Sequence, residues 1–323
     1  DSPAEVELAI SGVIDDGGST GIGQIKKRGA GRLVLSGSNA LDGYVNPEAG
    51  VVRAASFNAF GATTGGVTIT AGAALELDGV SITGEALSIT GSGIVNGASL
   101  AYGAGLLGSG AVRSLAGNNT WSGNVTIGGA TFSVADGTSL NLSGAIAFGD
   151  NRDVAKIGTG TLELSGGASN TYTTNRGRLY LNEGVVLLNK SGAFVALPIT
   201  SYVGDNVGSD NADVLRYGPA AGSSNQIEDG AIVSVSPTGF VDLATNAKSD
   251  TVGQVLLGVG ATGSVVLAAG GSTLTMNGNV TGIAAGGTSG SSPAATVTGG
   301  VALGGTARTV TVNDSDMPVE LDV

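Results

Sequence analysis

Apolar and polar residues alternate one by one in short runs spread along the whole chain. Val67-Thr68-Ile69-Thr70, Leu75-Glu76-Leu77-Asp78 and Leu87-Ser88-Ile89-Thr90 are early examples. Leu140-Asn141-Leu142-Ser143, Leu162-Glu163-Leu164-Ser165 and Leu179-Tyr180-Leu181-Asn182 follow. Val233-Ser234-Val235-Ser236, Thr273-Leu274-Thr275-Met276 and Thr309-Val310-Thr311-Val312 come late. A period of two puts two side chains of each run on one face and two on the other, the pattern of a half-buried β-strand. Between the runs lie Gly, Asn, Asp, Ser and Thr, which supply positive φ and side-chain-to-backbone turns. No stretch carries a convincing helical period. Pro47 to Phe60 comes nearest, and Gly50 with the β-branched pair Val51-Val52 makes it strand and loop.

Many short strands with glycine-rich turns fit a sandwich, a barrel, a propeller or a β-helix, and internal repetition decides among them. Lys27-Arg28-Gly29-Ala30-Gly31-Arg32-Leu33-Val34-Leu35-Ser36-Gly37 matches Lys156-Ile157-Gly158-Thr159-Gly160-Thr161-Leu162-Glu163-Leu164-Ser165-Gly166 without gaps, at an offset of 129. The two copies differ in the loops around them, which is how solenoids vary: rungs persist and loops change. The expected fold is all-β, a right-handed parallel β-helix (β-solenoid) with no substantial α-helix. Residues 1–323 are expected to form a single continuous solenoid, with internal blocks at approximately 8–139 and 140–318. Asp1 to Ile10 also aligns with Asp314 to Val323, five of ten positions being identical. Residues 319–323 are therefore read as the start of a further copy; the alternative is two edge strands that share one consensus.

Composition narrows the picture. Glycine supplies 58 of 323 residues and aromatics only 4%, so the core formers are Val, Ile, Leu and Ala, enough for a core one side chain deep. There is no cysteine, which excludes disulfides, and no histidine, which excludes Ser-His-Asp catalysis. A net charge of −12 repels nucleic acid and anionic lipid. No apolar run is long enough to span a bilayer, so no membrane insertion is expected.

The run Ile25 to Gly37 resembles the autotransporter-associated β-strand repeat, a Lys-x-Gly-x-Gly-x-Leu-x-Leu-Ser-Gly core followed by an Asn-Thr-Tyr-x-Gly turn. Lys156 to Gly166 repeats the core, and Ser169-Asn170-Thr171-Tyr172-Thr173 supplies most of the turn. Asn118-Asn119-Thr120-Trp121-Ser122-Gly123 resembles that turn with tryptophan, and Asn225 to Asp229 and Asp250 to Gly253 are of the same class. The resemblance implies a β-helix displayed outside a bacterial cell, extracellular or at the cell surface. It is nearly silent on activity.

Candidate chemistry is sparse. Asp205, Asn206, Asp210 and Asp213 gather hard oxygen ligands of the kind calcium accepts, without the spacing of an EF-hand or a nonapeptide calcium repeat. Asp15-Asp16 and Asp150-Asn151-Arg152-Asp153 are the carboxylate clusters a polysaccharide lyase or hydrolase would need, and both sit in turn-rich sequence. No catalytic residue and no cofactor other than calcium are therefore expected, and the chain is not expected to be an enzyme. Trp121 and the tyrosines could stack on sugars or pack across loops. Both terminal segments are strand-like, so Val6, Leu8, Ile10, Val319, Leu321 and Val323 are the expected interface. Its partner would be the chain itself, as a head-to-tail homo-oligomer, or a neighbouring tandem repeat. The expected function is an extracellular fibre or stalk segment; the alternative is a surface adhesin that binds glycan or host through its loops.

Overall fold

The computed structural model describes residues 7–17, 23–94, 109–222, 225–259, 265–284, 295–312 and 321–322. All its regular elements are β-strands, and every strand pairing is parallel. The chain winds as a β-solenoid, in which one turn lays its strands on those of the turn before. The chain separates into two compact units, one of residues 1–163 with 173–175, the other of residues 164–172 with 176–323.

In the first unit two ladders run from rung to rung. One stacks Glu7–Ile10, Arg32–Leu35, Gly50–Ala54, Ala73–Asp78 and Val112–Ala116, then the second half of Val125–Val134 and Val154–Ile157. The other stacks Ile25–Lys27, Val45–Pro47, Val67–Ile69, Leu87–Gly91, the first half of Val125–Val134 and Ile146–Phe148. A third ladder starts only at Ser81–Ile82 and continues through Asn118–Trp121 to Ser139–Leu142. Before it, the same side of each rung is a loop. In the second unit one ladder stacks Arg178–Leu181, Thr200–Val203, Val233–Val235, Val255–Val259, Val280–Ala284 and Val310–Val312. Another stacks Gly184–Lys190, Asp213–Tyr217, Gly239–Asp242, Val265–Met276, Ala295–Ala302 and Leu321–Asp322. Rung length is far from constant. Arg32 pairs with Val51, nineteen residues on, whereas Leu75 pairs with Val112, thirty-seven residues on.

The alternation read from the sequence sets the core. Val67, Ile69, Leu87, Ile89, Val125, Ile127, Leu140 and Leu142 are all buried; Val67, Leu87 and Val125 stack in one column, Ile69, Ile89 and Ile127 in another, and Leu142 lies on Trp121. Burial of such side chains contributes about 1.5–3 kcal/mol apiece. The turn motifs have a physical role too. Asn39, Asn119 and Asn170 are buried, and each bonds backbone across the gap between rungs. Asn39 accepts from the Ile14 amide and donates to the Ala59 carbonyl; Asn119 accepts from the Val80 amide; Asn170 donates to the Ala196 carbonyl. The motif lysines do the same for turns: Lys27 Nζ donates to the carbonyls of Gly29 and Ala49, and Lys156 Nζ to that of Gly158. Gly50, at φ +67°, sits where a side chain would strike the Gly29 and Gly31 carbonyls of the preceding turn.

Two runs depart from simple alternation. Glu76 occupies an outward position between Leu75 and Leu77 yet is fully buried. Its register partners are Arg53 and Arg113, and Arg32 reaches it from a further rung. Oε2 accepts from Arg32 Nε at 3.0 Å and Arg53 Nε at 2.9 Å, and Oε1 from Arg113 at 2.9 Å. Three guanidinium groups thus roof one carboxylate. In Thr309 to Val312 the apolar residues are instead exposed, Val310 at 51% and Val312 at 46%, because among the described residues this strand has a neighbour on one side alone. Of the expected interface residues, Val6, Val319 and Val323 lie outside the described residues. Leu321 lies in a strand that pairs with Ala295–Thr296. Leu8 is 60% exposed on Glu7–Ile10, and Ile10 is half-buried.

Removing Glu76 strands three arginines against one another. Glu76→Ala is expected to destabilise the protein by about 3 kcal/mol, the scale for breaking a buried ion pair. Glu48→Ala, which removes the partner of the exposed Arg28, is expected to leave the melt nearly unchanged. Thermal and urea denaturation of both variants measure the contrast.

Candidate functional site

The side of the first unit where the third ladder begins carries a groove of about 650 Å³. One wall is the loop Ala55 to Thr63; the other is Asp78 to Glu85, which contains the strand Ser81–Ile82. The loop is coiled into tight turns, its Ala59 and Gly61 amides donating to the carbonyls of Ser56 and Asn58. It binds backward to the preceding rung, through Ala62 N–H to the Leu41 carbonyl. The opposite wall binds forward instead: Thr120 and Ser122 amides donate to the Val80 and Ile82 carbonyls. Among the described residues no backbone hydrogen bond joins the two walls, so the rungs part here and leave space. Phe57 stands at the rim, 66% exposed, and Phe60 is buried. Ser56, Asn58, Thr63, Asp78, Ser81 and Thr83 add polar groups, and no lysine or arginine lines the groove.

Glu85 is the unusual group in this lining. It is 2% exposed, and its Oε1 has no hydrogen-bond partner. Its backbone is fixed from the next rung. Trp121 Nε1 donates to the Glu85 carbonyl at 2.7 Å, and a side chain at Gly123 would overlap that same oxygen. The Gly66 amide donates to the carboxylate from the rung before. Burial pushes the Glu85 carboxyl up to about 7, against the lesser opposing effect of that amide. Trp121 itself is fully buried, with its ring 5.7 Å from that of Phe60. It is a core residue behind the groove and offers no face for a sugar. Among the tyrosines, Tyr180 stacks on Tyr202 at 5.2 Å and Tyr217 is buried with its hydroxyl on Asp250, whereas Tyr44 is exposed and Tyr102 lies outside the described residues.

In the second unit the four residues considered for calcium separate. Asp213 is fully buried, its Oδ2 accepting from Thr238 Oγ1 at 2.7 Å while Oδ1 has no partner. Burial raises the Asp213 carboxyl to about 7, with further upward pushes from the charges of Asp205 and Glu183. Asp205 closes a turn by accepting from the Val207 amide, and burial raises its carboxyl as well. Asn206 and Asp210 are exposed, Asn206 at φ 67°. The structure thus brings Asp205 and Asp213 toward Glu183 and Thr238 and turns Asp210 out to solvent. Among the described residues no three Asp, Glu, His or Cys side chains are grouped to hold a metal ion. The lyase candidates are turn residues: Asp150 accepts from the Asn175 amide and Asp15 from the Gly17 amide. Among the described residues no helix is long and apolar enough to cross a membrane.

Glu85 makes stability depend on pH. An unfolded glutamate titrates near pH 4.3, so the folded state holds this proton more tightly. Its contribution is full below about pH 4, falls as pH rises and is gone above about pH 7, where the ionised carboxylate is buried. The span is on the order of 3–4 kcal/mol. Glu85→Gln is expected to flatten that part of the melting-temperature profile between pH 5 and 8 and to melt above the parent at pH 8. A profile with the parent's slope would contradict the assignment.

No protein-family model and no solved structure matches the chain. A curated relative does: the chain is 30% identical over 252 residues to the adhesin BmaC autotransporter of Brucella suis biovar 1 (strain 1330). The match takes in 76% of this chain and 6% of that protein, so the chain spans a small part of the length of its relative.

Proposed function

We propose that the chain is a segment of an extracellular, surface-displayed β-solenoid whose role is structural and adhesive rather than catalytic. The observation that carries this reading is the likeness to an adhesin over three quarters of the chain, on a fold of stacked parallel rungs. A solenoid suits display, because each rung needs only its neighbours for stability and loops vary without disturbing the ladders. The interruption of the third ladder and the groove beside it give such a segment a recessed surface for contact. Fused to a surface anchor on a non-adherent bacterium, the segment is expected to raise attachment to host-cell or matrix-coated surfaces several-fold over the anchor alone. Attachment equal to that of the anchor would overturn the adhesive reading.

A second reading, end-to-end stacking, is favoured by one observation. Glu7–Ile10 pairs with Arg32–Leu35 on one edge, and its other edge has no strand among the described residues. Leu8 on it is 60% exposed and Val13 nearby 63%. An open strand edge is a template for a further parallel strand, and stacking of identical copies through it gives a filament. Concentrated protein is then expected to form fibres in negative stain, and Leu8→Lys to disperse them. Monomers in sedimentation at every concentration would rule the stacking out.

A further inference from the structure

We propose that Glu85 is a proton-operated latch in the groove wall. With its carboxyl protonated, the turn 83–85 is closed onto the core; with it ionised, the turn opens into the groove. The inference goes beyond the adhesive reading and does not depend on it.

The buried carboxyls of the chain differ in what surrounds them. Among the described residues they are Glu76, Glu85, Asp213, Asp242 and Asp250. Glu76 meets three arginines, and Asp242 meets Arg216 and Thr245. Asp250 meets the Tyr217 hydroxyl and the amides of Asn225, Ile227 and Thr251. Donors of this number or charge let a buried carboxylate stay ionised. Glu85 and Asp213 each keep one oxygen without a partner. Asp213 has the Thr238 hydroxyl and the Asp205 amide, whereas Glu85 has the Gly66 amide alone. Glu85 is thus the buried carboxyl with the least to hold a negative charge, and it stands in the wall of an open groove.

No opposite charge faces it from the elements packed around it. Residues 55–63 across the groove carry no charged side chain. Neither does Val67–Ile69 in the rung before, nor Asn118–Trp121 in the rung after. On its own wall the charged residue is Asp78, of the same sign. An ionised Glu85 therefore gains nothing by staying buried, and leaving for solvent is the remaining way to lower its energy.

The wall is built to let it leave. Among the described residues no backbone bond joins 55–63 to 78–85, so the turn is held on that side by nothing from the earlier loop. From the next rung, the Gly84 amide bonds Ser122 Oγ at 3.0 Å and Trp121 Nε1 bonds the Glu85 carbonyl at 2.7 Å. Gly84 sits at φ +73°, a pivot that a side chain would strain. The strands on either side, Ser81–Ile82 and Leu87–Gly91, stay in their ladders. Movement is thereby confined to the few residues between them.

Proton linkage gives the direction. In the open turn Glu85 is solvated and titrates near pH 4.3, while closed it titrates at about 7. The opening equilibrium therefore rises about tenfold per pH unit between about pH 5 and 7, then levels off. The chain has no histidine, the usual group that titrates in this window.

The test is hydrogen exchange by NMR on the intact segment between about pH 5 and 8, each rate divided by its intrinsic rate. The Gly84 amide and the indole N–H of Trp121, the single tryptophan, report on the turn. Both are expected to lose protection about tenfold per pH unit up to about pH 7 and to level off above it. The amides of Leu140 and Leu142 are expected to stay at least about tenfold better protected at every pH. Glu85→Gln keeps the side chain's shape without its titration and is expected to remove the pH dependence at both probes. A dependence that persists in that variant assigns the proton to another group and overturns the proposal. The parent protein decides on its own as well. Turn probes that exchange in step with Leu140 and Leu142 mean that the unit opens only as a whole. Protection that does not change with pH means that no latch exists. Either result overturns the proposal.

Discussion

The stacking of each rung on the next, strand over strand in parallel register, is the constraint from which the other features follow. It fixes rung spacing at about 4.8 Å, the distance between hydrogen-bonded strands. Like residues must then lie over like, as Val67, Leu87 and Val125 do along one ladder. Because the interior is one side chain deep, small aliphatic residues fill it and few aromatics are needed. Turns must also stack at that spacing, which is why Gly50 faces carbonyls so closely.

The same constraint explains the polar groups buried along the solenoid. A turn that stacks on another turn turns its peptide groups toward a neighbour that cannot always answer them. Asn39, Asn119 and Asn170 supply the missing donor or acceptor from their side chains. Glu76 is the charged version, one carboxylate answering arginines from three other strands. Both arrangements join rungs by specific directional bonds, so they oppose slippage by one rung in a way that an aliphatic stack cannot. Glu85 differs because the Gly66 amide bonds its carboxylate while Oε1 stays buried without a hydrogen-bond partner.

The strands were legible in the sequence because alternation is local: Leu140 and Leu142 announce their face without knowledge of any partner. The motif asparagines were legible as turn residues, though not as buried bridges. Glu76 was not, since its arginines lie 44, 23 and 37 residues away and rung length varies too much to count the register from sequence. Glu85 was missed for the same reason. Thr83-Gly84-Glu85 reads as a polar turn, and only the stacking of Trp121 above and Gly66 below buries it. The aromatic signal in the sequence pointed to Trp121, which lies one layer behind the surface where Phe57 stands. At Asp205 to Asp213 the oxygen-rich loop was evident, but the approach of Thr238 and Glu183 to Asp213 depended on rungs on either side.

The parting of the rungs between 55–63 and 78–85 has a mechanical side. A pull along the solenoid axis loads every ladder that crosses a given seam. Between Gly50–Ala54 and Ala73–Asp78 two ladders cross and, among the described residues, the third side holds no backbone bond, whereas at the next seam, below Asn118–Trp121, all three are joined. Under tension the first unit yields first where it is already open, so the groove is also the seam that widens when the molecule is stretched.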